Sequence, residues 1–563
     1  MATKIAPLKT SRSVQKHLQS LSPFEIKNEL IGLAEEGARK STGQMLNAGR
    51  GNPNWIATIP REAFFTFGQF ALHECRRDMD EPEGLAGIVQ EKKGIAKRFE
   101  SFLNKHKKAP GIELLKGTYK YGIKKHHFDA DAWVREMVES VIGFNYPVPD
   151  RMLSHMEPIV NDYLLQEMCA GKPPAGKYDI FAVEGGTAAM CYIFDSLMQN
   201  YLLHKGDKIA LLVPTFTPYI EIPQLERYSF DVVEIHASTT NKSGYHLWQY
   251  PDEEIDKLKD PAVKVAFVVN PSNPPSTAIH PRTMKRMISI VKNDNPGLMV
   301  ITDDVYGTFV PNFRSFMAEL PHNTLTVYSF SKYFGCTGWR LGAIALHEAN
   351  VYDKKIAALS EVQKKELNKR YGTLTLEPEK IKFIDRLVAD SRQVALNHTA
   401  GLSLPQQFQM MLFSSFCLLD TRNKYKKLTQ EIINKRLKLL WKGMDMPMLE
   451  DPLRAGYYSE LDVIVPARQF YGEEFVQWLK KNFEPVDVLF RLAEKTSIVL
   501  LNGSGFAGPE WSIRVSLANL PTESYGTIGK KIRETLMEYV DAWKKENNMP
   551  DNLSKKKSSN KNK

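Results

Sequence analysis

From Lys177 onward the chain alternates short apolar and β-branched runs with longer segments of helical periodicity. The runs are DIFAVEGG, KIALLVP, DVVEIHA, VKVAFVVNP, LMVITDDVY, LTVYSFSK and LGAIALH. Several are apolar on both faces, so the strands they predict are covered on both sides, as in a mainly parallel seven-stranded sheet layered with helices. Before this region the pattern is helical, over Pro23–Lys40, Arg61–Asp78 and Leu85–His106. After Leu346 a polar helical segment runs to about residue 397, broken at Gly372 and restarting near Pro378. The lysine-rich helix Arg422–Lys442 then leads into further strands, YYSELDVIVP, SIVLLNG and WSIRVSL, with helices over Glu473–Phe483 and Tyr525–Glu546.

This pattern predicts an α/β protein with a smaller α+β domain built from both termini. The expected divisions are an N-terminal arm with part of the small domain (1–60), a helical insertion (61–145), a large domain (146–420, with its own insertion at about 350–397), a C-terminal small domain (421–548) and a disordered basic tail (549–563). A chain of 563 residues is too long for a single core, which agrees with such a division. No apolar run reaches the roughly 18 residues of a membrane span, and the first residues lack a signal-peptide core. Five dispersed cysteines with no CxxC pair argue against a disulfide framework or a metal site and for a reducing, cytoplasmic setting.

The net charge of +10 changes this picture little, because it is local. Eleven Lys and Arg stand against two Glu between Lys92 and Lys125, and five lysines lie in the tail, so the remainder is slightly acidic. Phe99, Phe102, Tyr119 and Tyr121 interleave with the basic run, yet a solvated helical face is the expected reading, not a nucleic-acid groove.

The candidate chemistry falls just past the carboxyl ends of the predicted strands, at Gly185, Pro214, Asn273, Asp303 and Lys332, where open α/β sheets bind ligands. In SFSKYFGCTGWRLG, Lys332 is read as the lysine that binds pyridoxal phosphate through an imine, which requires an amine kept neutral by burial or a cationic neighbour. Arg340, Ser329 and Ser331 offer donors for the phosphate, with Gly335 and Gly338 allowing a sharp turn. Gly185, Gly186 and Thr187 end a strand and open a helix, a second cradle for the same anion. Asp303 is the candidate partner of the pyridine nitrogen, with Asp304 its rival. Tyr306 and Asn273 reach the ring's phenolic oxygen, Phe216 stacks on the ring, and Arg514, an arginine within a strand, needs an anion such as a substrate α-carboxylate.

Together these motifs resemble fold type I pyridoxal-phosphate enzymes, the aspartate aminotransferase superfamily, over about residues 145–520. SFSKYFGCTGWRLG, NPSNPPS, DDVYGTF and WSIRVSLANL keep that family's order and approximate spacing. The resemblance implies the roles just given. It further implies that Tyr146, in FNYPVPD, reaches the phosphate of a neighbouring subunit, hence a homodimer. One departure is that the family usually has NPTG where this chain has Asn273-Pro274-Pro275-Ser276. The length, the insertions and NAGRGNPNW resemble a narrower group, the aspartate 4-decarboxylases, which also transaminate aspartate and assemble into larger particles, up to a dodecamer. Within NAGRGNPNW, Arg50 is the candidate contact to substrate. Plain transamination of aspartate or another amino acid is the nearest alternative, and a non-catalytic regulator on the same fold the more distant one.

Overall fold

A computed structural model describes residues 5–41, 44–77, 84–88, 91–395 and 401–549. The tail expected beyond 549 lies outside them, as do the ends of the helical segments predicted to reach 78 and 397. The strands are β1 (Leu46–Asn47), β2 (Tyr178–Val183), β3 (Lys208–Val213), β4 (Asp231–His236), β5 (Val263–Val269), β6 (Met299–Asp303), β7 (Thr324–Ser329), β8 (Gly342–His347), β9 (Tyr458–Asp462), β10 (Ile498–Val499), β11 (Leu501–Asn502) and β12 (Ser512–Ser516).

The seven apolar runs form one sheet in the order β2-β8-β7-β6-β5-β3-β4. All its pairings are parallel except those of β8, which runs against both β2 and β7. Strands β6, β7 and β8 are buried at every position, which is why their sequences are apolar throughout instead of alternating. Helix Gly186–Gln199 lies over one face and packs with Phe383–Ala395, while Pro281–Asn293 covers the other.

The helices Thr58–Arg77, Ile95–Lys105, Ile112–His126 and Ala130–Ile142 pack on one another and against Leu404–Leu419. Phe67, Phe70, Phe99 and Phe408 meet at the centre of this layer, with ring centroids 5.0–5.6 Å apart. Phe99 and Tyr119, which the sequence interleaves with lysines, are thus core side chains. The helix expected from Leu85 begins at Ile95 instead: Leu85 and Ile88 are exposed, and Gly94 takes a left-handed φ of 76° as the helix opens.

Both ends of the chain meet in a smaller unit. β1 pairs in parallel with β10, and helix Pro23–Ser41 packs on Asp487–Thr496. β11, β12 and β9 form a three-stranded antiparallel sheet, with helices Lys424–Gly443 and Ser524–Glu546 packed together nearby. Two strand expectations are corrected here. YYSELDVIVP stops at Asp462, whose Oδ1 accepts from the Ile464 amide at 2.9 Å and turns the chain into helix Ile464–Asn482. SIVLLNG is divided between two sheets as β10 and β11.

Candidate active site

The carboxyl ends of β5, β6 and β7 and the N-terminus of helix Gly186–Gln199 enclose a cavity of about 230 Å³. Eleven of the residues singled out in the sequence line it: Gly186, Thr187, Phe216, Asn273, Asp303, Tyr306, Ser329, Ser331, Lys332, Arg340 and Arg514. Gly185 lies behind this wall at φ 91°, where a Cβ would be 2.8 Å from Arg340 Nη2, so a side chain there would displace the guanidinium. Arg340 also donates to the carbonyls of Glu184 (3.2 Å) and Thr337 (3.1 Å). Gly335 is required by a φ of 62° and by Trp55 O, 2.0 Å from a Cβ built on it. Gly338 is not: it has no positive φ and open space around it, which corrects its expected part in the turn.

Asp303 and Asp304 are separated by strand alternation, which sends successive side chains to opposite faces. Asp303 enters the cavity, where Oδ2 accepts from Tyr219 Oη at 2.5 Å and Oδ1 from the Val305 amide at 3.1 Å. Asp304 turns away to Thr302 Oγ1 (2.7 Å) and the Ser315 hydroxyl. Burial raises both carboxyls above the usual range, Asp304 to about 7, while Tyr219, the Val305 amide and Lys332 pull Asp303 back down.

Lys332 Nζ donates to Gly51 O at 3.1 Å, and a Cβ on Gly51 would lie 3.2 Å from that nitrogen and 2.8 Å from Tyr458 Oη. The Tyr306 and Tyr458 hydroxyls are 3.2 Å apart, and burial, then Tyr458, drives the Tyr306 phenol well above its usual range. Arg514 lies between the rings of Tyr458 (4.4 Å) and Phe506 (4.6 Å). It donates to Gly49 O at 2.9 Å and to Asn273 Oδ1 at 3.4 Å, while its buried Nε has no partner.

Arg50 and Tyr146 do not line the cavity. The carbonyls beside Arg50, of Gly49 and Gly51, reach the site while its own side chain is exposed. Tyr146 is 72% exposed, beside exposed Phe144 and Val148. Sequence reasoning missed Tyr219, Phe24, Tyr458 and Lys27. Tyr219 had a signal, because it falls one helical turn after Phe216. Phe24, Tyr458 and Lys27 had none, since they come from distant parts of the chain. Lys27 stands near Arg50 and Arg514, and burial together with those two cations lowers its pKa.

Among the described residues Asp303 is the only carboxylate lining the cavity, against Lys332, Arg340 and Arg514. None of these three makes an ion pair among the described residues. With the helix N-terminus added, the cavity suits an anion-rich occupant such as a phosphorylated ring and a carboxylate. The unpartnered Arg514 Nε and the glycine-floored approach to Arg340 match the cofactor that the motifs imply. No helix among the described residues is long and apolar enough to cross a membrane, and they contain no cluster of His, Cys, Asp and Glu that could hold a metal ion.

Comparison with known proteins places this geometry. Residues 181–532 match the family model for aminotransferase class I and II. The chain is 48% identical to a bifunctional aspartate aminotransferase and L-aspartate beta-decarboxylase of a Pseudomonas species over 529 residues, covering 94% of this chain and 98% of the relative. It is 23% identical over 264 residues to a probable aspartate/prephenate aminotransferase of Aquifex aeolicus, covering 46% of this chain and 61% of that one. Among solved structures, a Thermus thermophilus aspartate aminotransferase double mutant superposes with a TM-score of 0.55 at 15% identity, covering 94% of this chain and 98% of that one. A Pyrococcus protein gives 0.56 at 16%, covering 94% and 99%. These two bear on the fold alone.

Proposed function

The chain belongs to the class I and II aminotransferase family, and from that premise we propose that it removes the β-carboxylate of L-aspartate to give L-alanine and CO₂, with aspartate transamination as a second activity. The observation that carries this reading is near full-length similarity to a relative bearing both activities in its name, joined to a cavity with more cations than the cofactor phosphate needs. Pyridoxal 5′-phosphate supplies an aldehyde that captures the substrate amine and a protonated ring that accepts electrons from the substrate carbon skeleton.

The rest falls to the chain. With the cofactor bound, Lys332 would be the residue that holds it, and its amine would be the base that takes the Cα proton of the substrate and returns protons later. Asp303, fixed by Tyr219, keeps the proton on the ring nitrogen. Asn273 and Tyr306 serve the phenolic oxygen and Phe216 the ring face. Gly185, Gly186, Thr187, Ser329, Ser331 and Arg340 take the phosphate, completed by Tyr146 of a second copy in a homodimer or larger assembly. Arg514 receives the α-carboxylate in place of part of its present contact with Gly49. Arg50, with Lys27 near it, would hold the distal carboxylate only by turning its exposed side chain inward from outside the cavity wall. Holding that group without neutralising it fully favours its loss, since a perfect clamp would stabilise the starting charge as much as the transition state.

The test is to supply holoenzyme with aspartate and no 2-oxo acid. Sustained CO₂ and alanine in equal amounts support the reading. A single turnover to oxaloacetate, with activity restored only by a 2-oxo acid, identifies a plain aminotransferase.

A further inference from the structure

Arg514 on β12 and Glu460 on β9 stand directly opposite each other. The Leu517 amide donates to Tyr457 O and the Val463 amide to Trp511 O, so 460 and 514 form one of the alternate pairs without mutual backbone bonds, where side chains come closest. Glu460 therefore shares the face of the arginine that addresses the cavity. Both are buried, at 7% and 2% exposure, yet they form no ion pair, and Glu460 Oε2 and Arg514 Nε are both without partners. Glu460 Oε1 accepts from Ser512 Oγ at 2.9 Å. The backbone is fitted around this carboxyl: a Cβ on Gly508 would lie 2.2 Å, and one on Gly503 2.5 Å, from Oε1.

The charged groups facing it are few. β12 contributes Arg514 and the neutral Ser512, its own strand contributes Asp462, and the 503–508 loop contributes no charge. Asp462 is itself paired with His246 at 2.8 Å. Burial raises the Glu460 carboxyl to about 8; Asp462 adds to the rise, and Arg514 and Ser512 oppose it. A proton has a route that avoids the active site, because Glu460 also borders a second cavity of about 330 Å³ between the 245–249 loop and helix Lys424–Gly443.

We propose that Glu460 is a positioning residue for Arg514: when neutral it leaves the guanidinium's charge to the substrate carboxylate, and when ionised it competes with that carboxylate. The inference rests on the assignment of Arg514 to the substrate. Around neutral pH the arginine is uncompensated and binds well. As pH rises through the Glu460 transition, a fixed counter-charge appears one strand away and substrate affinity falls.

Steady-state decarboxylation of aspartate by holoenzyme, from about pH 6 to about pH 10, reads this as a split between KM and kcat. Expected is a wild-type KM that rises about tenfold per pH unit beyond the transition, without a matching change in kcat, and a Glu460→Gln KM that stays flat over that limb. The same KM limb in both proteins overturns the proposal. Calorimetric binding of succinate, which has two carboxylates and no amine to titrate, gives a readout free of turnover and of the Glu460→Gln variant's folding. Wild-type affinity for succinate must weaken over the same pH range, and constant affinity overturns the proposal. Failure to release CO₂ from aspartate at any pH would sink the decarboxylase reading instead, leaving the succinate titration to decide on Glu460.

Discussion

Ser276 occupies the place where the family motif has glycine, and its removal should separate two costs. Its φ of 61° is left-handed, a region that disfavours any side chain by about 1 kcal/mol relative to glycine. The hydroxyl offsets this by accepting from the amides of Tyr457 (2.9 Å) and Tyr458 (3.3 Å), while the Ser276 carbonyl accepts from Ala455 (2.7 Å) and Gly456 (3.3 Å). The residue is fully buried, so water cannot replace the lost acceptor. Ser276→Ala leaves two amides unsatisfied at about 1 to 3 kcal/mol each, with the longer bond at the low end, for a loss of about 2 to 4 kcal/mol. Ser276→Gly loses the same bonds but recovers about 1 kcal/mol of backbone strain. The expected order is wild type, then Gly, then Ala. Urea unfolding followed by tryptophan fluorescence, at one protein concentration and one cofactor concentration, measures it. Because these bonds set the strand carrying Tyr458 and Glu460, KM for aspartate should rise in both variants. An alanine variant as stable as wild type, or more stable than the glycine variant, would refute the reasoning.

Tyr219→Phe removes the hydrogen bond to Asp303 and should lower kcat roughly tenfold to a hundredfold, with little change in KM, since bonds to ionised groups are worth about 1.5 to 3 kcal/mol. Arg514→Gln should raise KM for aspartate and weaken succinate binding by about a hundredfold or more, as expected when one partner of a buried charge pair is truncated. Glu460 and Asp304 are raised from 4.5 to about 8 and from 3.8 to about 7, so the folded state keeps protons that the unfolded chain releases. Their contribution to stability is complete below the unfolded values and is lost as pH rises towards the folded ones. Glu460→Gln and Asp304→Asn should therefore gain stability relative to wild type between about pH 5 and pH 8, by a few kcal/mol at the upper end, in parallel denaturation series.

The large sheet was legible because strands covered on both faces must be apolar throughout, and the cofactor motifs because each sits within a few residues of a strand end. Asp303 and Lys332 needed no long-range information. Between Asp303 and its rival Asp304 the sequence left the choice open, and the structure separates them by sending only the first into the cavity. What the sequence hid was set by distance along the chain. Tyr458 and Phe24 enter the site, and Glu460 comes to stand opposite Arg514, only because the small unit closes on the large one, and Ser276 looks like a damaged turn until the strand it holds is visible. The helix expected from Leu85 failed for a local reason: Gly84, Gly87 and Gly94 interrupt a stretch whose apolar spacing alone reads as helical.

The pairing of Leu46 with Ile498 has a consequence for synthesis. The loop that brings Gly49 and Gly51 to Arg514 and Lys332 is translated long before the strand that β1 pairs with, so β1 has no mate until Ile498 and Val499 have been made. The pocket is therefore completed late, and a chain stopped before about residue 500 would carry Lys332 on a finished sheet without Arg514 to receive the α-carboxylate.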